Sequence, residues 1–253
     1  MVRRTVLLLL PFLASATAFA QETPSADDLV QKNVTARGGT AKIKAVKTIK
    51  VTGTAQTQGI ELPLTIWVKR PAMFRLEMVL QGKKIVQAFD GTDAWGIVPM
   101  MGSDDPKKAG DEQTKAMRDS ADEMMDGPLM DYKERGAKLE VMGKEDVEGS
   151  PAYKIKITKK DGAVKYTYLD GETYLDVRTT ETAHQMGQEM TVDSYLSNYK
   201  AEAGVLIPHA IEQRAGGQAI MKMSLDQVEV NAPVDDSLFQ FPVKPDAKPA
   251  EKK

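Results

Sequence analysis

The sequence predicts a mainly β protein, in which a single curved antiparallel sheet or incomplete barrel of about ten or eleven strands is interrupted by one helical segment. Two observations carry this prediction. Apolar and polar residues alternate in many short runs, which is typical of half-buried antiparallel strands. Pairs such as Asp161-Gly162 and Asp170-Gly171 separate successive runs, and Asp-Gly is a strong local signal for a β-hairpin. The predicted strands do not alternate with helices, as they would in a parallel sheet.

The first element is a predicted helix from Ser25 to Ala36. A serine at its start can cap the free backbone N–H groups, and Leu29 and Val34 recur at helical spacing. The pair Gly38-Gly39 ends it, and Ala41 to Val46 adds a second short helical turn.

The strands before the helical segment alternate most clearly. In the run from Leu62 to Val68, the leucines, Ile66 and Val68 share one face, and after Pro71 the alternation resumes from Phe74 to Leu80. Ile85 to Phe89 and a strand around Trp95 follow. The later strands are predicted at Lys138 to Met142, Ala152 to Thr158, Val164 to Leu169, Thr173 to Glu181, Met190 to Tyr199, His209 to Arg214 and Ala219 to Val230.

The helical segment is predicted from Lys107 to Asp126, followed by Gly127-Pro128. Met117, Ala121 and Met125 lie near one stripe of it, together with Met124, and charged residues occupy the rest. Methionine is flexible and polarisable, and it suits a surface that repacks around varied apolar shapes. The same residues also suit an ordinary core beneath a helix.

The two ends of the chain differ from the rest. Residues 1–20 read as a secretory signal, because Arg3 and Arg4 precede a short apolar run and Ala18-Phe19-Ala20 resembles a cleavage site. We therefore expect one folded domain over residues 21–243, soluble after export, and a disordered tail over residues 244–253. The net charge of −2, which becomes −4 without Arg3 and Arg4, argues against nucleic acid as a partner.

The sequence offers little that could support catalysis. It has no cysteine, so disulfides and N-terminal lipidation are excluded, and its two histidines, His184 and His209, lie on different predicted strands. Nucleophile elbows, zinc-protease motifs and phosphate-binding glycine loops are missing. We therefore expect a protein that is not an enzyme and that uses no metal or cofactor.

Two motifs resemble the lipoprotein-localisation carriers of the LolA and LolB type. One is Trp67-Val68-Lys69-Arg70-Pro71 with Phe74, and the other is Asp90-Gly91 with Trp95 and Pro99. The ending Leu238-Phe239-Gln240-Phe241-Pro242 is a weaker third match. The chain is also similar to outer-membrane lipoprotein-sorting proteins in Gly38-Gly39 and in the segment from Asn198 to Pro208.

The resemblance implies an unclosed barrel whose concave apolar face is covered by a helical lid. Arg70 corresponds to a family arginine that holds the lid closed through hydrogen bonds, and here we expect it to donate them to carbonyl oxygens of the lid. Trp95 is expected at the mouth of the cavity or in the core, and either strand face could be the concave one. The implied lining of the cavity is Leu64, Ile66, Val68, Phe74, Leu76, Met78 and Trp95 from the strands, and Met117, Ala121, Met124 and Met125 from the lid.

The resulting interpretation is a periplasmic carrier of lipoprotein acyl chains or phospholipid, with an inner-membrane donor complex and an outer-membrane acceptor as implied partners. A water-exposed methylene costs about 0.8 kcal/mol, so a lipid anchor needs shielding to cross an aqueous compartment. Three alternatives stay open: a sensor of lipids or outer-membrane stress that regulates a membrane partner, a scaffold with a filled core, and, least supported, a hydrolase.

Overall fold

The structure is a computed structural model that describes residues 24–99, 104–185 and 188–242. The predicted signal and the predicted tail lie outside these residues. Three α-helices are present in the described part, α1 (Ala26–Ala36), α2 (Thr40–Ala45) and α3 (Asp111–Asp126), and a 3₁₀ turn spans Asp236–Leu238.

Thirteen strands in the described ranges form one antiparallel sheet. Their bounds are β1 Thr48–Thr57, β2 Ile60–Lys69, β3 Met73–Leu80, β4 Lys83–Phe89, β5 Ala94–Ile97, β6 Lys107–Lys108, β7 Lys138–Val147, β8 Ser150–Thr158, β9 Val164–Asp170, β10 Asp176–Gln185, β11 Gln188–Glu202, β12 Val205–Ala215 and β13 Gln218–Val230. They are ordered β6-β5-β4-β3-β2-β1-β13-β12-β11-β10-β9-β8-β7, so β6 and β7 lie at the two ends. The predicted fold class, a mainly β, unclosed antiparallel sheet with an internal helix and N-terminal helices, is confirmed.

Two details of the predicted elements were wrong. The sheet has more strands than expected, and the long helix begins at Asp111 rather than at Lys107. Lys107 and Lys108 form β6 and pair with β5, where Lys108 lies opposite Trp95. A strand of two residues is too short to show an alternating pattern, so these residues were predicted as the start of the helix that follows.

The first helix begins as predicted, because Ser25 supplies a complete cap. Its hydroxyl oxygen accepts a hydrogen bond from the backbone N–H of Asp28 (3.2 Å), and the carboxylate of Asp28 accepts one from the backbone N–H of Ser25 (3.3 Å). This reciprocal pair satisfies N–H groups that a helix start leaves free. Leu29 and Val34 are buried by the sheet.

All three helices pack on one face of the sheet, which we call the helical face. The contacts of α3 are mainly with β2, β3, β4 and β5, and α1 contacts β7 and, through Asn33, Asp176 of β10. The alternation in β2 follows from this arrangement, because Leu62, Leu64, Ile66 and Val68 are buried on the helical face. The opposite face is called the outer face, and residues 232–242 contact it over β2–β5.

Candidate functional site

The largest apolar cluster of the described residues lies between the helices and the helical face, and its part beneath α3 is the candidate site. Met117, Ala121 and Met125 of α3 are at most 6 % exposed, and Leu64, Ile66, Val68 and Phe74 below them are at most 8 % exposed. Leu76, Met78 and Met124 are partly buried at its edge. The structure thus brings together ten of the eleven predicted lining residues, and in the described conformation the side chains of α3 occupy the space above the strands.

Trp95 is the predicted lining residue that lies elsewhere. Its neighbour Ala94 belongs to the cluster on the helical face, so Trp95 points to the outer face. There its indole Nε1 donates a hydrogen bond to the carbonyl oxygen of Phe239 (2.7 Å), and its ring packs edge-on against Phe241. Trp95 therefore secures the C-terminal segment to the sheet, and we leave it out of the candidate site.

Arg70, directly after β2, contacts the end of α3. Its Nη2 and Nη1 donate hydrogen bonds to the two carboxylate oxygens of Asp126, at 2.5 and 3.1 Å. Its remaining bonds go to the carbonyl oxygens of Val46 (Nε, 2.8 Å) and Ile43 (Nη2, 3.3 Å) at the end of α2. The guanidinium therefore binds a lid carboxylate in a bidentate manner, where the resemblance led us to expect lid carbonyls.

Two further arginines meet Asp126, and sequence reasoning missed them. Arg37 donates to the backbone carbonyl oxygen of Asp126, and Arg135 donates to its carboxylate at 3.2 Å. Cations at a helix C-terminus also favour the helix dipole. Burial raises the pKa of Asp126, but the hydrogen bonds and charge of Arg70, with the charges of Arg135 and Arg37, outweigh this and hold the pKa below its usual value.

Gly127, next in the chain, shows how closely Arg37 approaches. A Cβ at this position would lie 2.1 Å from Nη1 of Arg37, and the backbone has a φ of +79°, which favours glycine. Arg70 and Arg37 lie 56 and 89 residues from Asp126 along the chain, and Arg135 lies 9 residues away, so no helical or strand spacing indicated this cluster. We call Arg37, Arg70, Arg135 and Asp126 the arginine cluster.

The other side of α3 is charged and faces a cleft of about 770 Å³ between the helix and β8–β9. Lys159 lies 2.7 Å from Asp119 of α3, and Lys165 contacts Glu123. Burial lowers the pKa of Lys165, but the charges of Glu123 and Glu181 outweigh this and hold it above its usual value. Ion pairs therefore tether α3 along the side that has no apolar packing.

Beyond α3, the apolar surface continues on the helical face and becomes more exposed. Ala55 of β1 pairs with Met223 of β13, Met223 with Ile211 of β12, and Ile211 with Leu196 of β11. Ala55 is fully buried, whereas the other three are only partly buried. We call Met223, Ile211 and Leu196 the apolar row.

The described residues present no group of three or more acidic or histidine side chains that could hold a metal ion. His209 is 2 % exposed, with Nδ1 2.9 Å from the carbonyl oxygen of Leu225 and Nε2 3.2 Å from a carboxylate oxygen of Glu202. The side chain of His184 lies outside the described residues. In the same part of the chain, no helix is both long and apolar enough to cross a membrane.

Comparison with solved structures supports the predicted resemblance at the level of the fold. The sequence matches no protein-family model and no curated protein. A DUF1329 family protein from Desulfovibrio piger superposes with a TM-score of 0.57 at 11% identity, over 86% of this chain and 98% of its own. The chain thus shares a fold with solved proteins over most of its length.

Two similar structures connect this fold to a known class. A LolA superfamily protein from Nitrosomonas europaea has a TM-score of 0.55 at 10% identity, over 86% of this chain and 98% of its own. A domain described as an outer membrane lipoprotein-sorting protein, from Vibrio parahaemolyticus, has a TM-score of 0.54 at 11% identity, over 85% of this chain and 97% of its own. The chain has the fold of the LolA superfamily.

Proposed function

We propose that this protein is a periplasmic carrier, which binds the acyl chains of lipoproteins or lipids on the helical face and moves them toward the outer membrane. Binding is reversible and involves no covalent change. The observation that carries the proposal is the apolar cluster beneath α3, because one helix with a charged far side covers it. The predicted signal supports the compartment, and the likeness to LolA-type structures supports the class.

The methionines of α3 and a bound acyl chain gain comparable free energies from burial on this surface, which makes their exchange feasible. Met117 and Met125 are buried and gain about 1.5–3 kcal/mol each from burial, or about 3–6 kcal/mol together, and the partly buried Met124 adds a smaller gain. An acyl chain of about ten methylenes gains about 8 kcal/mol from the same surface. An acyl chain can therefore replace the methionines of α3 without a large net cost, and the helix covers the face again after release.

In this proposal the arginine cluster holds the end of α3 in the closed position, and α3 moves away from the strands when these contacts are lost. Arg70 contacts both the end of α2 and Asp126 of α3, so it joins the covering helix to the fixed part of the fold. We infer that Arg70 acts as the latch of the lid. Weakening this contact favours the open form.

The test is native mass spectrometry with lipid extraction on protein purified from the periplasm of a Gram-negative host. The expected result is a bound acylated molecule. Met78→Asp places a charge on the helical face of β3 and should abolish binding. Val79→Asp is the matched control, because it places the same charge at the neighbouring position, which is also partly buried but lies on the outer face. A ligand-free wild-type protein that takes up no acyl probe contradicts the proposal.

A further inference from the structure

A line of neutral polar side chains crosses the helical face next to the apolar row. Gln213 of β12 pairs with Ser194 of β11, Ser194 pairs with Thr179 of β10, and Thr179 pairs with Thr167 of β9. Directly opposed residues of antiparallel strands share a face. The two ends fix which face this is, because Gln213 lies opposite Met221 and Thr167 lies opposite Ile155, a core residue of the helical face beside α1.

The four side chains differ in whether they have partners. Thr167 is fully buried, and its hydroxyl donates to the carboxylate of Asp176 at 2.7 Å. Thr179, Ser194 and Gln213 are partly buried, and within the described residues no protein group forms a hydrogen bond with their side chains. We call these three residues the polar row. They retain hydrogen-bonding capacity for a ligand or for water.

The polar row is placed where a ligand could reach it. The principal contacts of α3 are with β2–β5, and α1 contacts β7 and Asp176, the first residue of β10. The residues Thr179, Ser194 and Gln213 lie farther along β10–β12 and are only partly buried. Neighbouring strands are about 4.8 Å apart, so the three side chains form a line about 10 Å long. The apolar row lies next to the polar row on the same face. Ile211 is two residues from Gln213 along β12, and Leu196 is two residues from Ser194 along β11.

We propose that the polar row binds the ester or amide linkages of an acylated ligand while the apolar row binds the first methylenes of its chains. This inference rests on the proposed function and specifies the ligand class. Two hydroxyls and an amide supply donors for carbonyl oxygens. A purely hydrocarbon ligand would bury these groups without partners, which is unfavourable. The row holds no charged side chain, so it is suited to the neutral linkages and not to a phosphate.

The experiment compares two short-chain phospholipids of the same head group and chain length, one ester-linked and one ether-linked. The ether lacks the carbonyl oxygens and is otherwise matched. We expect the full-length wild-type protein to bind the ester about tenfold more tightly by calorimetry. The triple variant Thr179→Val, Ser194→Ala and Gln213→Leu should bind both lipids equally. The control variant, Thr180→Val with Ser197→Ala on the outer face of the same strands, should keep the preference.

The outcomes separate the two proposals. If the wild type binds ester and ether equally, the polar row has no role in recognition, although acyl binding stands. If it binds neither lipid, the proposed function fails. If the ester preference persists in a folded triple variant, the linkages are recognised elsewhere and the inference is overturned. A synthetic diacylated lipopeptide in the same assay distinguishes the source of the linkages. Whichever of the lipopeptide and the phospholipid the protein binds more tightly identifies the ligand class.

Discussion

The two regions of the helical face differ in how they are covered. Under α3, the helical-face side chains of β2 and Phe74 of β3 are almost fully buried, whereas on β11–β13 the apolar row is only partly buried and borders unpartnered polar side chains. The covered region resembles a binding surface that is occupied by the protein's own helix. The open region resembles a surface prepared for the linkage end of a ligand. If the proposed function is correct, we expect binding to begin on β10–β13 and to extend beneath α3.

The largest effect is expected from a matched pair of substitutions, one in each region. Ile66→Ala removes a buried side chain beneath α3 and should lower the free energy of unfolding by about 2–5 kcal/mol. Ile211→Ala, at a partly exposed position of the apolar row, should lower it by about 1 kcal/mol, because less apolar surface is lost. Urea unfolding monitored by circular dichroism measures both. Equal losses would show that the two regions are covered alike.

Disrupting the arginine cluster should open the covered region. Asp126→Asn removes the charge that Arg70 and Arg135 share, at a cost of about 1.5–3 kcal/mol, so α3 should open about tenfold more often or more. The chain has no cysteine, so Met124→Cys gives a single thiol on the apolar stripe of α3. Its labelling rate reports opening. Glu134→Gln, an exposed position with the same change in charge, is the control and should leave the rate unchanged.

The same contact predicts how opening depends on pH. The pKa of Asp126 is held below its usual value, so its contribution to closure is complete above the pKa of an unfolded aspartate and is lost as the pH falls through the lower, folded value. Labelling of Met124→Cys by a dithiodipyridine reagent should stay constant from about pH 7 to 5 and increase below about pH 4. The Asp126→Asn background should lack this increase. A rise of the same size in both backgrounds would assign the acid response to other carboxylates.

The smallest effect is expected on the exposed side of α3. Lys115 lies 2.8 Å from Asp161 and 3.1 Å from Asp119, and nearly half of its side chain is in solvent. Lys115→Ala should reduce the free energy of unfolding by less than about 1 kcal/mol, and about 1 M salt should remove most of the difference. Chemical denaturation at low and high salt measures this. A loss as large as that of Asp126→Asn would make the charged side, not the arginine cluster, the main tether.

The sequence predicted what local periodicity determines. The alternation of β2 and β3 identified the residues under α3, the serine at position 25 identified the start of α1, and the methionine stripe identified the side of α3 that packs. Each of these signals lies within one element, where side-chain direction follows from spacing. The resemblance added Arg70, whose contact with α3 the structure shows, while its role as a latch stays a prediction.

The sequence missed what depends on distant pairing. Adjacent strand residues such as Ala94 and Trp95 point to opposite faces, but only the course of residues 232–242 shows that the outer face at Trp95 is also covered. Asp126 looked like one acidic residue among many on a charged helix. The polar row needs the register of three strands, because Thr179, Ser194 and Gln213 are neighbours only after the sheet forms.

The most direct measurement is the position of α3 with and without an acyl ligand. Spin labels at Ser120→Cys, on the exposed side of α3, and at Lys83→Cys, at the start of β4, report this distance by double electron–electron resonance. Labels at Lys83→Cys and Gln218→Cys, both on the sheet, serve as the reference pair. Saturation with the ester-linked phospholipid should change the first distance distribution and leave the second unchanged. Bound ligand with an unchanged first distribution would contradict the claim that acyl chains and α3 compete for the same apolar face.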